Sequence, residues 1–152
     1  MSDHEEVRVA LVGDTGLKVR PEFTIGLRAV MRWPVRAFAV EYNGLGYLET
    51  VYWLDGSSIG VYRFHSETAI STVIRPITAI SALSVIASVE ADGFNRGNVH
   101  KVLTIRFGSG GEEAIEADIS VSDSDDIEHV SDLRKNFIAA VMNTVAGPVD
   151  SS

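Results

Sequence analysis

The chain has 152 residues, 45% apolar and 22% charged, with four prolines and no cysteine. That size and composition fit one folded domain with its own core and exclude disulfides, thiolate metal sites and cysteine nucleophiles. A net charge of −8 opposes nonspecific attraction to nucleic acid or to an anionic bilayer, and no unbroken apolar run is long enough for a membrane span. The expectation is a single domain over 1–152 with its core in 7–146 and flexible ends at 1–5 and 148–152. The acidic start, without a basic n-region and apolar run, predicts a cytoplasmic protein.

In chain order, Val7, Val9 and Leu11 alternate with their neighbours and Gly13-Asp14-Thr15-Gly16 follows, which predicts a short strand and a turn. From Phe23 to Trp33 two periods compete. Phe23, Ile25, Leu27, Ala29, Met31 and Trp33 alternate as a strand would, while Phe23, Leu27 and Val30 match a helical face. The unbroken period of two predicts a strand, ended by Pro34. Val35–Tyr42, Tyr47–Leu54 and Ile59–Phe64 are separated by Asn43-Gly44 and Asp55-Gly56-Ser57-Ser58, the residue types that tight hairpins need, and predict a three-stranded meander.

A weaker strand signal covers Ala69–Ile74. Ile77–Ala91 is rich in β-branched residues at alternate positions and predicts a long strand. Val99–Phe107 and Ala114–Ile119 flank Gly108-Ser109-Gly110-Gly111 as a further hairpin. Ile127, Val130, Leu133, Phe137, Ala140 and Val141 recur at helical spacing after the acidic stretch Asp123–Asp126, and Gly147-Pro148 stops the helix. The predicted class is mainly β, within α+β: a bent antiparallel sheet or partly open barrel of about seven strands, capped by a C-terminal amphipathic helix that covers its inner face.

From Val35 onward, the order of seven candidate strands and one helix resembles the pleckstrin-homology-like superfold. Arg75-Pro76-Ile77-Thr78-Ala79-Ile80 before the fifth strand and the glycine turn Gly108–Gly111 before the last are similar to bacterial members at those points. The resemblance implies a bent seven-stranded sheet closed by the helix, and an interaction module that uses a strand edge or the groove beside the helix. In lipid-binding members a basic motif in the first hairpin grips phosphoinositide headgroups. Here that turn is Asn43-Gly44-Leu45-Gly46, without Lys or Arg, so headgroup binding is not expected. With 21–33 read as helix instead, the order is similar to the helix-grip proteins, which implies an apolar small-molecule cavity between sheet and C-terminal helix.

The candidate chemistry is sparse. Gly13–Lys18 lacks the spacing and the hydroxyl of a phosphate-binding loop and reads as a turn. The triplet Asp14-Thr15-Gly16 would need a second aspartate to share a proton. His4, His65, His100 and His129 have no paired ligand spacing, no serine lies in a G-x-S-x-G elbow, and the acids from Asp118 to Glu128 read as helix caps. Tyr42, Tyr47, Tyr52, Trp53, Tyr62 and Phe64 crowd one meander and read as core packing.

Charge is unevenly placed. Lys18, Arg20, Arg28, Arg32 and Arg36 are opposed only by Glu22 in their stretch, whereas 112–132 carries nine acids and no Lys or Arg. The expected function is a non-enzymatic protein-interaction module without cofactor or metal, whose partner is an unknown protein or a second copy. Arg28, Arg32, Arg36, Trp53 and Tyr62 are the candidate contact residues.

Overall fold

The computed structural model describes residues 3–91, 97–107 and 119–146. Two helices open the chain, α1 (Asp3–Val12) and α2 (Pro21–Val30). Four antiparallel strands follow, β1 (Ala37–Tyr42), β2 (Leu48–Asp55), β3 (Ser58–Ser66) and β4 (Ala69–Pro76), in the order β1-β2-β3-β4. A short 3-10 turn, Ile77–Ala79, leads into β5 (Ile80–Ala91), β6 (Gly97–Phe107) and β7 (Ile119–Ser122), a second antiparallel sheet in the order β5-β6-β7, and α3 (Glu128–Ala146) ends the described chain. The α+β class, the antiparallel strands and the C-terminal helix are as the sequence predicts.

The meander forms where its turn residues stand. Asn43 Oδ1 accepts the N–H groups of Leu45 and Tyr47, Gly46 supplies a positive φ of 84°, and Gly56 supplies 57° between β2 and β3. Ile77, expected to open the fifth strand, instead lies in the 3-10 turn, its N–H bonded to the Ser57 carbonyl. The last strand is described only from Ile119. Ile119–Ser122 pairs with β6, while 108–118, with the glycine turn and most of the expected strand, lies outside the described residues, as do Gly147-Pro148 and the remaining tail.

Two expectations for the first thirty residues are overturned. Val7–Val12 and Phe23–Trp33, predicted as strands, are the helices α1 and the greater part of α2. In α1 the core takes Val7 and Leu11, one helical turn apart, and leaves Val9 42% exposed. In α2 it takes Phe23 and Leu27 and leaves Ile25 58% exposed. A strand would have put all the odd positions on one face. The period of 3.6 prevails because each helix needs only one apolar stripe against the sheet. Pro21 at the first turn of α2 suits that choice. Asp3 to Glu5, expected to be a flexible end, belong to α1, where Glu5 holds Arg8 in an ion pair.

The first sheet is covered on both faces. Val40, Val51, Trp53, Tyr62 and Phe64 point to α1 and α2, with Phe23, Leu27 and Met31 above them. The alternate residues Ala39, Tyr52, Leu54, Ile59 and Val61 point to Leu103 and Ile105 of β6, Ile119 and Val121 of β7, and Phe137, Ile138 and Val141 of α3. The result is two apolar layers on either side of one sheet. Two small residues permit the approach: a Cβ at Gly26 would meet the Tyr62 hydroxyl, and one at Gly60 would overlap the Trp53 indole.

Polar contacts fix the helix α3. Arg134, 9% exposed, donates from Nε to the Val40 carbonyl of β1 at 3.0 Å and from Nη1 to the carbonyls of Ser122 and Ser124 at 3.4 and 3.3 Å, with Asp125 3.4 Å away. Asp125 also accepts from the Tyr42 hydroxyl and from the Ile127 N–H, both at 2.8 Å. His129 Nε2 lies 3.1 Å from the Ala10 carbonyl and ties α3 to α1. Of the acidic stretch before α3, Asp123 thus serves the β6 backbone and Asp125 serves a local turn, the Tyr42 hydroxyl and one buried arginine.

Candidate functional site

Among the described residues, two grooves lie along the flanks of α3. Beneath the helix, Phe137, Ile138 and Val141 are at most 2% exposed and fill the volume against the sheets. On one flank a groove of about 530 Å³ runs between α3 and the first residues of β6, lined among others by Val99, Lys101, Asp123, Lys135, Ala139 and Met142. On the other flank a groove of about 430 Å³ separates α3 from the start of β1, with Arg36, Phe38 and Leu133 on its walls. Asn136, Ala139 and Asn143 border both, so they form the ridge between them.

The β6 wall has a specific main-chain character. β7 ends at Ser122, opposite Val102, and the chain then turns toward α3. Asp123 makes the last link: its N–H donates to the Lys101 carbonyl at 2.9 Å, and its carboxylate, not a backbone oxygen, accepts the Lys101 N–H at 2.9 Å. Main-chain groups of alternate residues face the same edge of a strand, so Val99 presents its N–H and carbonyl to the side where β7 has ended. Among the described residues, β6 runs on past its neighbour beside a helix.

The electrostatics of the groove differ from those of the whole chain. Asp123, 2% exposed, is held by Lys101 and by the Ser131 hydroxyl, which donates to its carbonyl at 2.7 Å, and His100 Nδ1 stands 3.9 Å from its carboxylate. Lys101 and Lys135 are exposed at the rim and Arg36 is exposed at the rim of the neighbouring groove. The flanks of α3 therefore carry cationic rims on a chain of net charge −8.

The five contact candidates fall in different places. Arg36 borders a groove. Arg32 is exposed between α2 and β1, and Arg28 is partly buried on α2. Trp53 and Tyr62 are 2% and 0% exposed in the layer beneath α1 and α2, where the Tyr62 hydroxyl donates to the Phe23 carbonyl at 2.9 Å and the Phe23 and Tyr62 rings meet edge to face at 5.1 Å. Their side chains serve the core. Lys18 and Arg20 lie over the Tyr47 ring, 5.1 and 4.7 Å from its centroid.

Sequence reasoning missed Lys101, Lys135, Val99 and the ridge of α3. The groove depends on the start of β6 against the end of β7, where Ser122 pairs with Val102.

Among the described residues no group of histidines and acids has the arrangement of a metal site, and no helix is long and apolar enough to cross a membrane. Compared with family models, with curated proteins and with solved structures, the chain finds no match in any of the three. The fold and the grooves together define an α+β chain of two antiparallel sheets with a C-terminal helix whose flanks, among the described residues, carry grooves with basic rims.

Proposed function

We propose that the protein is a non-enzymatic protein-interaction module of pleckstrin-homology-like architecture, which takes an extended, acidic segment of a partner protein into the groove between α3 and β6. The order of four strands, three strands and a C-terminal helix supports the architecture, but a fold alone assigns no function. The observation that carries the reading is the edge of β6 at Val99, which continues past β7 with a helix alongside. An added strand gains main-chain hydrogen bonds there, and alternate side chains reach the apolar patch of Val99, Ala139 and Met142. Lys101 and Lys135 favour acidic residues in that segment.

The test is selection of displayed random peptides on the full chain, followed by titration of a selected peptide into the ¹⁵N-labelled protein. The expected result is an acidic, alternately apolar sequence whose binding shifts the amides of Val99, Lys101 and Ala139, and which Ala139→Arg weakens at least about tenfold, or 1.4 kcal/mol. Shifts confined to other surfaces, or full binding by Ala139→Arg, would overturn the reading. A small molecule retained by the purified protein in native mass spectrometry, and displaced by no peptide, would favour a carrier instead.

A further inference from the structure

Among the described residues, the other side of the second sheet presents a longer free edge. There β5 is an outer strand of twelve residues, Ile80–Ala91, bonded to β6 on one side only. Because Lys101 turns its main chain toward β7, the odd-numbered residues of β6 face β7 and the even-numbered ones face β5. The register pairs Val102 with Ile86 and Thr104 with Ser84. The even-numbered residues of β5 are therefore bonded to β6, and Leu83, Val85, Ala87 and Val89 turn their N–H and carbonyl groups outward.

Natural edges of this length carry lysines, prolines or bulges that prevent pairing. From position 82 to 89 this one has no charge, no proline and no bulge, and the irregularity at Ile80/Ala82 lies before it. It also has apolar side chains in the open on both faces, with Ile86 65% exposed on one and Val89 68% exposed on the other. The strand is nearly symmetric about Ile86. Val85 answers Ala87, Ser84 answers Ser88 and Leu83 answers Val89, so that reversed and laid antiparallel on itself the sequence sets apolar against apolar and hydroxyl against hydroxyl. The one charged residue of the strand, Glu90, then falls opposite Ala82 in register and not opposite its own copy.

We infer that the partner of this edge is a second copy of the chain, paired β5 to β5 about a two-fold axis at Ile86. In that register the outward groups of Val85 bond to Ala87 of the partner subunit and those of Leu83 to Val89 of the partner subunit, each repeated by symmetry. The two three-stranded sheets become one of six strands. Ile86 meets Ile86 of the partner subunit as a non-hydrogen-bonded pair, the closer of the two antiparallel pair types, with Cα atoms about 4.5 Å apart. This surface is separate from the groove beside α3 and leaves it open.

The absence of cysteine makes the register directly testable. Ile86→Cys places two thiols within disulfide reach across the axis. Val89→Cys, equally exposed, lies about 20 Å from its own copy, six residues along the strand. Under mild oxidation Ile86→Cys is expected to form a covalent dimer on non-reducing gels and Val89→Cys to stay monomeric. Sedimentation of the unmodified protein should show a reversible dimer, and Ile86→Lys should weaken it on the order of 100-fold by setting two ammonium groups on the axis. Because Ile86 is exposed, that variant keeps its fold, which circular dichroism checks. A wild type that is monomeric at every concentration, a dimer indifferent to Ile86→Lys, or equal cross-linking of the two cysteine variants overturns the inference.

Discussion

The Trp53 indole lies over Gly60, its partner on the neighbouring strand, so closely that a single methyl group at Gly60 would overlap the ring. Trp53 is 2% exposed and held between α2 and the sheet, so the ring has no free volume to enter. Gly60→Ala is expected to destabilise the protein by about 1–3 kcal/mol, the usual range for overpacking. Urea denaturation, read as a lower midpoint with an unchanged slope, measures it.

Arg134 gives a second stability test. Its guanidinium bonds carbonyls of β1 and of the segment after β7 and lies beside Asp125. Arg134→Ala leaves those acceptors and a partly buried carboxylate without their cation, at a cost of about 3 kcal/mol or more. Arg134→Lys restores charge without the planar fork, and is expected to recover less than half of the loss in the same titration.

Alkaline pH should reveal the buried tyrosines. Burial pushes the Tyr62 phenol up to about 12, and burial together with the Glu41 carboxylate does the same for Tyr52. In the unfolded chain both ionise near 10. A proton held more tightly in the folded state contributes stability that is complete below pH 10 and lost as pH rises through 10 toward 12. The expected outcome is a fall in unfolding free energy over that window, with a shallower slope in Tyr62→Phe. That variant also loses the bond to the Phe23 carbonyl, so at pH 7 it is expected to be less stable by about 1 kcal/mol.

The rim of the α3 groove should act on binding and not on folding. Lys101 and Lys135 are exposed, so Lys101→Glu with Lys135→Glu is expected to change stability by less than about 0.5 kcal/mol. The same double variant should slow association of the selected acidic peptide and reverse its dependence on salt. Stopped-flow association rates at low and high ionic strength provide the measurement.

The meander and the last helix were legible in the sequence because their signals are local. Asn43, Gly46 and Gly56 make their own turns, and Phe137 and Val141 repeat on one face of a helix that packs through that face. The first two helices were not legible. Phe23 and Leu27 satisfy both periods, and what decides between them is the apolar face of a sheet whose strands come later in the chain. Trp53 and Tyr62 could not be placed by composition either, since an aromatic cluster reads alike whether it is covered or open. The core-packing reading of the meander's aromatics holds for both, and it removes them as contact candidates. The groove was hidden for a different reason: it exists because one strand outruns its neighbour, a relation between two lengths that no residue pattern encodes.

The double coverage of the first sheet also constrains how the molecule is made. α1 and α2 leave the ribosome before any of the strands they will cover, as two ten-residue helices too short to persist alone in water. Until β1 and β2 have been synthesised, Val7, Leu11, Phe23 and Leu27 lack the sheet face they bury against. The apolar stripes of both helices therefore wait for strands that are synthesised after them before they can be covered.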